Sequence, residues 1–300
     1  MKHVVAKPFV KWVGGKTQLL DEIKRSLPTD LYHMKNVTYV ESFVGGGAVL
    51  FWILQEYPNL ITRAVINDIN QELICTYRVV KSQVLPLINQ LEHLQQQYLS
   101  LDEGERKQFY LEKRKLYNSR KNSDIDTATL FIFLNRTCFN GLYRVNSKGE
   151  FNVPHGRYAN PKICDKDNLL AVSNLLQKVE ILCGDFATTE QYADANTIFY
   201  LDPPYKPISE TSSFTSYAAG RFDDAEQIRL RDFCAHITEK QARFIASNSD
   251  PIEQKTGLSF FDQLYSQFSI KRVMATRYIN ANANDRGFVS EIMISNVANL

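Results

Sequence analysis

The sequence predicts an α/β fold carrying one large insertion, and three observations support this. Short apolar runs bounded by turn residues alternate with stretches of helical periodicity, the pattern of strands joined by crossover helices in a parallel sheet. Each early run ends at a glycine or an acid, where the carboxyl edge of such a sheet presents its ligand-binding groups. The alternation lapses between Asp68 and Val179 and then resumes, and 300 residues are enough for a sheet domain plus an inserted block.

In chain order, strands are expected at 38–41, 63–67, 179–183, 197–201, 244–247, 270–275 and 290–295. The first runs into the glycine-rich SFVGGG and then a helix, AVLFWILQ. Residues 71–117 carry Leu and aromatic side chains at helical spacing, and 135–161 is rich in Gly and Asn. A structureless loop of that length inside a compact domain is implausible. The expected organisation is therefore a sheet domain from 1–68 and 179–300 with an inserted lobe at 69–178.

Hydrophobic residues at 44%, charged at 23%, 13 Gly and 10 Pro exclude collagen-like, disordered and low-complexity classes. No apolar run approaches the roughly 18 residues of a membrane span, and lysines recur where a signal peptide would be apolar, so no membrane partner and a cytoplasmic location are expected. The five cysteines (Cys75, Cys138, Cys164, Cys183, Cys234) are scattered without a CxxC pair, which predicts neither a disulfide framework nor a metal site. The net charge of +2 conceals an asymmetry: residues 105–162 carry +7 and the rest of the chain −5. A basic middle on an acidic body is the footprint of a polyanion-binding segment, although the 105–121 run alone reads as a solvated helix face.

Three short motifs bear chemistry. Asp202-Pro203-Pro204-Tyr205 follows the apolar run TIFYL. The two prolines fix φ and remove two N–H donors, so the turn presents carbonyl acceptors beside the Asp202 carboxylate. Two acceptors can hold an exocyclic amino group by its hydrogens and keep the nitrogen lone pair available, and Tyr205 is a flat surface for a base. A strand-ending turn in which the acid caps backbone N–H groups reads equally well. In Glu41-Ser42-Phe43-Val44-Gly45-Gly46-Gly47 a strand meets consecutive glycines before a helix, which allows close approach of a ligand, but the string is not GxGxxG and fits a dinucleotide poorly. Asp68 in INDIN and Asp185 in CGDF end two further strands, so four acids would converge on one cleft; each alone also reads as a cap or turn residue. Finally, KWVGGKT ends like a phosphate loop, but Val10 stands where that loop needs its first Gly. Trp12 would instead pack on an adenine or a methionine chain and Lys16 neutralise a carboxylate, or the pair is a core Trp beside a surface Lys.

The order KWVGGK, ESFVGGG, INDIN, long insertion, GDF, DPPY resembles the alpha-group (D12 class) N6-adenine DNA methyltransferases of the Dam type over essentially the whole chain. Within the insertion, RTCFNGLYR continuing into SKGEFNVPHGRY resembles the family's DNA-reading hairpin, and SETSSFTSY (209–217) resembles a segment of its GATC-specific members. The resemblance implies a Rossmann-like methyltransferase sheet, S-adenosyl-L-methionine as methyl donor, and adenine in double-stranded GATC as target. It places Trp12, Lys16, Glu41, Phe43, Gly45, Gly47, Asp68, Asp185, Phe186 and Asp202 at the cofactor, and Asp202, Pro203, Pro204 and Tyr205 at the adenine. It assigns Lys11, Arg136, Phe139, Asn140, Leu142, Arg144, Asn146, Pro154 and Arg157 to DNA, with Arg144 reading guanine and Phe139 wedging beside the flipped base. Phe139 stands where related enzymes can carry a different ring, and an aromatic is kept.

The Tyr of DPPY favours adenine over cytosine-N4 enzymes, which more often show Ser and Trp there. No Pro-Cys nucleophile of the cytosine-C5 kind is present. The competing readings are an RNA-adenine methyltransferase, a protein-glutamine methyltransferase, which the basic hairpin disfavours, and a DNA-binding module with a degenerate pocket. The resemblance covers both the modification half of a restriction system and a solitary enzyme. One flipped base per cycle requires only a monomer.

Overall fold

The computed structural model describes residues 4–206, 222–251, 259–276 and 288–297. Seven strands form one sheet: β1 (Val37–Glu41), β2 (Ile61–Ile66), β3 (Val179–Ile181), β4 (Thr197–Leu201), β5 (Arg243–Ser249), β6 (Ser269–Thr276) and β7 (Phe288–Ser295). Their spatial order is β3-β2-β1-β4-β5-β7-β6. The first five are parallel, and β7 runs antiparallel to both β5 and β6. The chain builds outward from β1 to β3 and then returns to the other side with β4. The topological switch point therefore lies between β1 and β4, where open α/β sheets bind ligands at their carboxyl ends. Glu41 and Asp202 stand at those two ends.

All seven expected strands form. Some ends differ by one or two residues: β3 stops at Ile181, although Leu182 N–H donates to Ile66 O at 2.9 Å and Gly184 N–H to Asp68 O at 3.1 Å, which carries the parallel spacing on into the CGD turn. The central strand β4, TIFYL, is buried throughout, as a parallel strand covered on both faces must be. Its residues alternate between two apolar clusters, Ile198 and Tyr200 in one and Phe199 and Leu201 in the other, which is the two-residue period of a strand. The second cluster is closed by α8 (Asp224–Glu239) and α9 (Phe260–Leu264).

The first cluster is larger because it takes in the helices after β2: α3 (Gln71–Ser82), α4 (Val84–Ser100), α5 (Glu103–Asn118) and α6 (Asp124–Thr137). It also covers α1 (Leu20–Ser26), α2 (Ala48–Glu56) and α7 (Lys166–Leu176). Sequence-local caps set the helix starts. Asn70 accepts from Leu73 N–H, Ser123 from Asp126 N–H, and Asp102 with Glu105 forms a reciprocal capping box. Helices α3 and α7 both pack on β3, so they complete the β2-to-β3 crossover, and α4 and α6 between them pack on α3, with α4 also against α7. After α6 the chain from Cys138 to His155 folds back on itself, with antiparallel bridges Cys138–His155 and Val145–Phe151.

Candidate active site

The carboxyl edge of the parallel strands gathers most of the residues singled out in the sequence. Asp202 Oδ1 accepts from Lys16 Nζ at 2.8 Å and from Ser247 Oγ at 3.0 Å. Its other oxygen has no partner among the described residues. Burial pushes the Asp202 carboxyl above its usual range, against the pull of the Lys16 ammonium. Lys16 is itself buried; it also donates to Gly14 O at 2.8 Å and lies 4.4 Å from the Tyr205 ring centroid. The Tyr205 hydroxyl donates to Glu291 Oε2 at 2.7 Å, which fixes the plane of the ring. Pro203 is buried and Pro204 exposed; the Pro204 carbonyl takes a hydrogen bond from Gln227, and that of Pro203 has no partner among the described residues.

Glu41 is 2% exposed, and Tyr39 Oη donates to it at 2.9 Å. Burial raises its carboxyl well above the usual range, opposed by that hydrogen bond, and the nearby Asp202 adds to the rise. The loop after Glu41 is pinned from two sides. Asp68 Oδ2 accepts Gly45 N–H at 3.0 Å, and the Tyr77 hydroxyl donates to Gly45 O at 3.0 Å. Gly45 has φ +48°, and a Cβ there would stand 2.7 Å from the Trp12 ring, so this position needs glycine both for its backbone and for the indole against it. Gly47, also left-handed, is the N-cap of α2. Burial raises Asp68 too, partly offset by the N–H groups of Asn70 and Gly45. Asn67 ties the edge together by donating to Ser42 O and Gly184 O, and its own Oδ1 is buried without a partner among the described residues.

Asp185 caps the turn after β3 through Ala187 N–H and is gripped by both Nη groups of Arg229, at 2.8 and 2.6 Å. That guanidinium holds its carboxyl below the usual range. Phe186 and Phe43 pack with their rings tilted by 33° and centroids 5.4 Å apart, Phe222 packs on both, and Arg229 covers Phe186 at 4.2 Å. Trp12 is half-buried and stacks on Tyr143 at 5.6 Å and Phe131 at 6.5 Å. It thus joins the glycine loop to the inserted hairpin.

The second group of residues collects on that hairpin. Phe139 is 51% exposed; Asn140, Arg144, Pro154 and Arg157 are exposed as well. Arg144 Nε donates to Asn152 Oδ1 at 2.7 Å, which extends the guanidinium along the strand pair. Asn146 closes the turn, accepting from the N–H groups of Lys148 and Glu150. Leu142 packs on the core below. Lys11 runs beneath the hairpin with its stem against Gly141, where a Cβ would come within 2.3 Å, and its ammonium lies 4.7 Å from the Tyr158 ring. Arg136 is placed differently from the rest: it turns inward, donates to Phe9 O at 2.8 Å, and its buried Nε has no partner among the described residues. Residues 209–217, the SETSSFTSY segment, lie outside the described residues.

Sequence reasoning missed several contributors. Asn135 bonds Lys11 through both its N–H and its carbonyl and also holds Gly141 O. Ser247, Asn248 and Gln227 support the Asp202–Tyr205 turn, and Glu291 orients Tyr205. The polar run SNSD that ends an otherwise apolar strand was the available signal for the first two. Glu291 stands between Ser290 and the apolar run Ile292–Ile294 on β7 and gave none. Among the described residues no cluster of His, Cys, Asp or Glu suits a metal ion, and no helix is long and apolar enough to cross a membrane.

A family model for D12 class N6 adenine-specific DNA methyltransferases matches residues 12–279. The type II methyltransferase M.MjaIII of Methanocaldococcus jannaschii is 48% identical over 293 residues, covering 97% of this chain and 99% of that protein. The type II methyltransferase M1.LlaDCHI of Lactococcus lactis subsp. cremoris is 38% identical, covering 98% and 96%. The DNA adenine methylase of Haemophilus influenzae is 34% identical, covering 98% and 93%.

Proposed function

The chain belongs to the D12 class N6 adenine-specific DNA methyltransferases, and from that premise we propose that it methylates the N6 of an adenine flipped out of double-stranded GATC, with S-adenosyl-L-methionine as donor. The observation that carries this reading is the meeting of Asp202, Lys16 and Tyr205 at the β1/β4 switch point, with one Asp202 oxygen and the Pro203 carbonyl left as acceptors. Those two acceptors take the two amino hydrogens, and the nitrogen lone pair stays directed at the incoming carbon. Tyr205 is the stacking surface that offsets part of the unstacking cost of flipping, a few kcal/mol. Lys16 opposes the rise that burial imposes on the Asp202 carboxyl and so favours the ionised acceptor. Methyl transfer is an in-line displacement, and positioning is its main lever.

The residues at the strand ends suit the donor. Glu41, Asp68 and Asp185 place carboxylates where a cationic ligand rich in hydroxyl and amino groups needs acceptors, and Asn67 Oδ1, which has no partner among the described residues, lies on the same edge. Phe43 and Phe186 offer flat apolar surface for a purine beside Gly45, Gly47 and Trp12. When bound, S-adenosyl-L-methionine supplies a methyl group on a positively charged sulfur. The chain's part is to orient it and exclude water.

The stretch 69–178 acts in this reading as the target-recognition lobe on a catalytic domain of 1–68 and 179–300. Arg144 presents a planar fork suited to guanine O6 and N7, and Phe139 an apolar ring suited to wedging into a base step. Lys11, Asn140, Leu142, Asn146, Pro154 and Arg157 shape and line the same face, with Arg136 anchoring it from inside. One copy in the cytoplasm suffices, since one base is held at a time. Plasmid from cells expressing the chain should resist a nuclease blocked by adenine methylation in GATC, and Asp202→Ala should restore cutting. Complete cutting after wild-type expression rejects GATC as the site, and mapping of methylated adenines would then locate the true sequence.

A further inference from the structure

Behind the Asp202–Tyr205 turn lies a buried polar cluster that neither the sequence motifs nor the family description assigns. Gln227, in the first turn of α8, is fully buried, and Asn248, near the end of β5, is 3% exposed. Gln227 Nε2 donates to the Pro204 carbonyl at 3.3 Å. Its Oε1 accepts from Asn248 Nδ2 at 3.2 Å. Asn248 Oδ1 in turn accepts the N–H of Lys206 at 3.2 Å and that of Ser249 at 2.9 Å, while Ser249 Oγ donates to Lys206 O at 2.6 Å. Every hydrogen bond in this set ends on the backbone that flanks Tyr205 or on the side chain that reaches it.

Two amides facing each other in a dry site have one consistent orientation here. Asn248 must present its oxygen to the two backbone N–H groups, so its nitrogen points at Gln227; Gln227 must then present its oxygen to Asn248 and its nitrogen to Pro204. The network is directional and each of its amide nitrogens and oxygens has a partner, the condition under which buried polar groups rigidify a structure instead of weakening it. We propose that Gln227 and Asn248 are positioning residues for methyl transfer: by occupying the Pro204 carbonyl and the Lys206 N–H they hold the turn in the one pose in which the Pro203 carbonyl and Asp202 face the adenine amino group together. The inference rests on the reading of Asp202–Tyr205 as the adenine site. Neither residue touches the base; both act through the backbone of the turn.

Gln227→Glu is the sharp test, because a protonated glutamic acid reproduces glutamine's pattern. Its carbonyl oxygen accepts from Asn248 and its hydroxyl donates to Pro204 O, whereas the ionised form has no donor and sets a charge against the carbonyl. The readouts are single-turnover methyl transfer at saturating donor and DNA, and the fluorescence of 2-aminopurine at the target position, which reports flipping. The rate of the variant relative to wild type should be near one at acid pH, where the buried carboxyl keeps its proton, and should fall roughly tenfold or more as pH rises, since a misplacement of about 1 Å can cost up to a hundredfold. Gln227→Leu should be slow at every pH. DNA affinity, donor affinity and flipping amplitude should stay within about twofold of wild type, because the clamp contacts neither ligand.

A ratio flat with pH for Gln227→Glu, or a Gln227→Leu enzyme that is folded by its melting curve and transfers at the wild-type rate, overturns the proposal. Asp202→Ala run alongside separates the two layers. If it transfers normally, the site reading itself falls; if it is inactive while Gln227→Leu is normal, only the clamp falls.

Discussion

The strand edge and the hairpin are built on opposite electrostatic plans. At the edge, Glu41, Asp202 and Lys16 are largely removed from water, and their partners come from the chain itself: Tyr39, Ser247, and each other across the switch point. On the hairpin, Phe139, Asn140, Arg144 and Arg157 face solvent, and the hydrogen bonds serve to hold the scaffold, as Asn146 does for the turn and Asn152 for the Arg144 fork. A reaction whose lever is positioning needs its acceptors fixed before substrate arrives, which buried and paired groups provide. Reading a duplex needs groups that can leave water for base edges, and those cannot be satisfied in advance. The contrast predicts that damage to the edge changes the rate of chemistry and damage to the hairpin changes which DNA is chosen.

The largest effect should follow from removing an edge acceptor. Asp202→Ala leaves the amino group with one acceptor and Lys16 with an unpaired buried charge, and kcat should fall about 100- to 1,000-fold, the range for losing one preorganised polar contact at a reacting centre. DNA affinity measured by titration should change little. Near-normal turnover at saturating donor would break the comparison at its strongest point.

Next in size is Arg144→Ala. A bidentate guanine contact is worth about 1–3 kcal/mol of discrimination, so kcat/KM should fall on GATC and fall less on duplexes altered at one particular base pair. Equal losses on GATC and on every single-base variant would make Arg144 a phosphate contact and the hairpin a handle, not a reader.

A smaller effect sharpens the edge. Tyr205→Phe keeps the ring and loses the hydroxyl that donates to Glu291, so each of Tyr205→Phe and Glu291→Gln should slow methyl transfer several-fold, and the double variant should be no worse than the slower single one, a coupling of about 0.5–3 kcal/mol. Additive losses would mean that Glu291 acts independently of the ring.

How much of this was legible beforehand follows the same division. The strands and the acids at their ends could be read because each is a local signal: an apolar run followed by a group that cannot continue it, as in TIFYL before Asp202. The sheet order was not legible, since pairing of β1 with β4 joins residues about 160 positions apart and leaves no periodic trace. Lys16 was expected to neutralise a carboxylate, yet nothing local reveals that the carboxylate is Asp202. Arg136 sits in the same basic motif as Arg144 and points the other way, because the free carbonyl of Phe9 lies behind α6 and draws the guanidinium inward. Gln227, Asn248 and Glu291 matter through partners on other elements, and their types at those positions are ordinary.

The smallest expected effect separates holding a charge from burying one. Glu41 has its carboxyl raised well above the usual range by burial. Below the ordinary carboxylate range both folded and unfolded chains carry the proton, and Glu41 contributes nothing to the pH dependence. As pH rises, the unfolded chain ionises first while the folded chain keeps the proton. Folding then takes up a proton, and stability falls until the raised folded value is passed, after which the penalty is constant. Glu41→Gln keeps an oxygen for the Tyr39 hydroxyl and has no proton to lose. The variant should therefore melt at the wild-type temperature in acid and progressively above it toward neutral pH, each 1 kcal/mol appearing as about 2–4 °C in domains slightly smaller than this one. Donor affinity should fall in the same variant, because a destabilising buried acid at a ligand edge is kept for what it binds. A melting difference that does not vary with pH would show that Glu41 is accommodated like the exposed groups of the hairpin, and the division between the two regions would not extend to their charges.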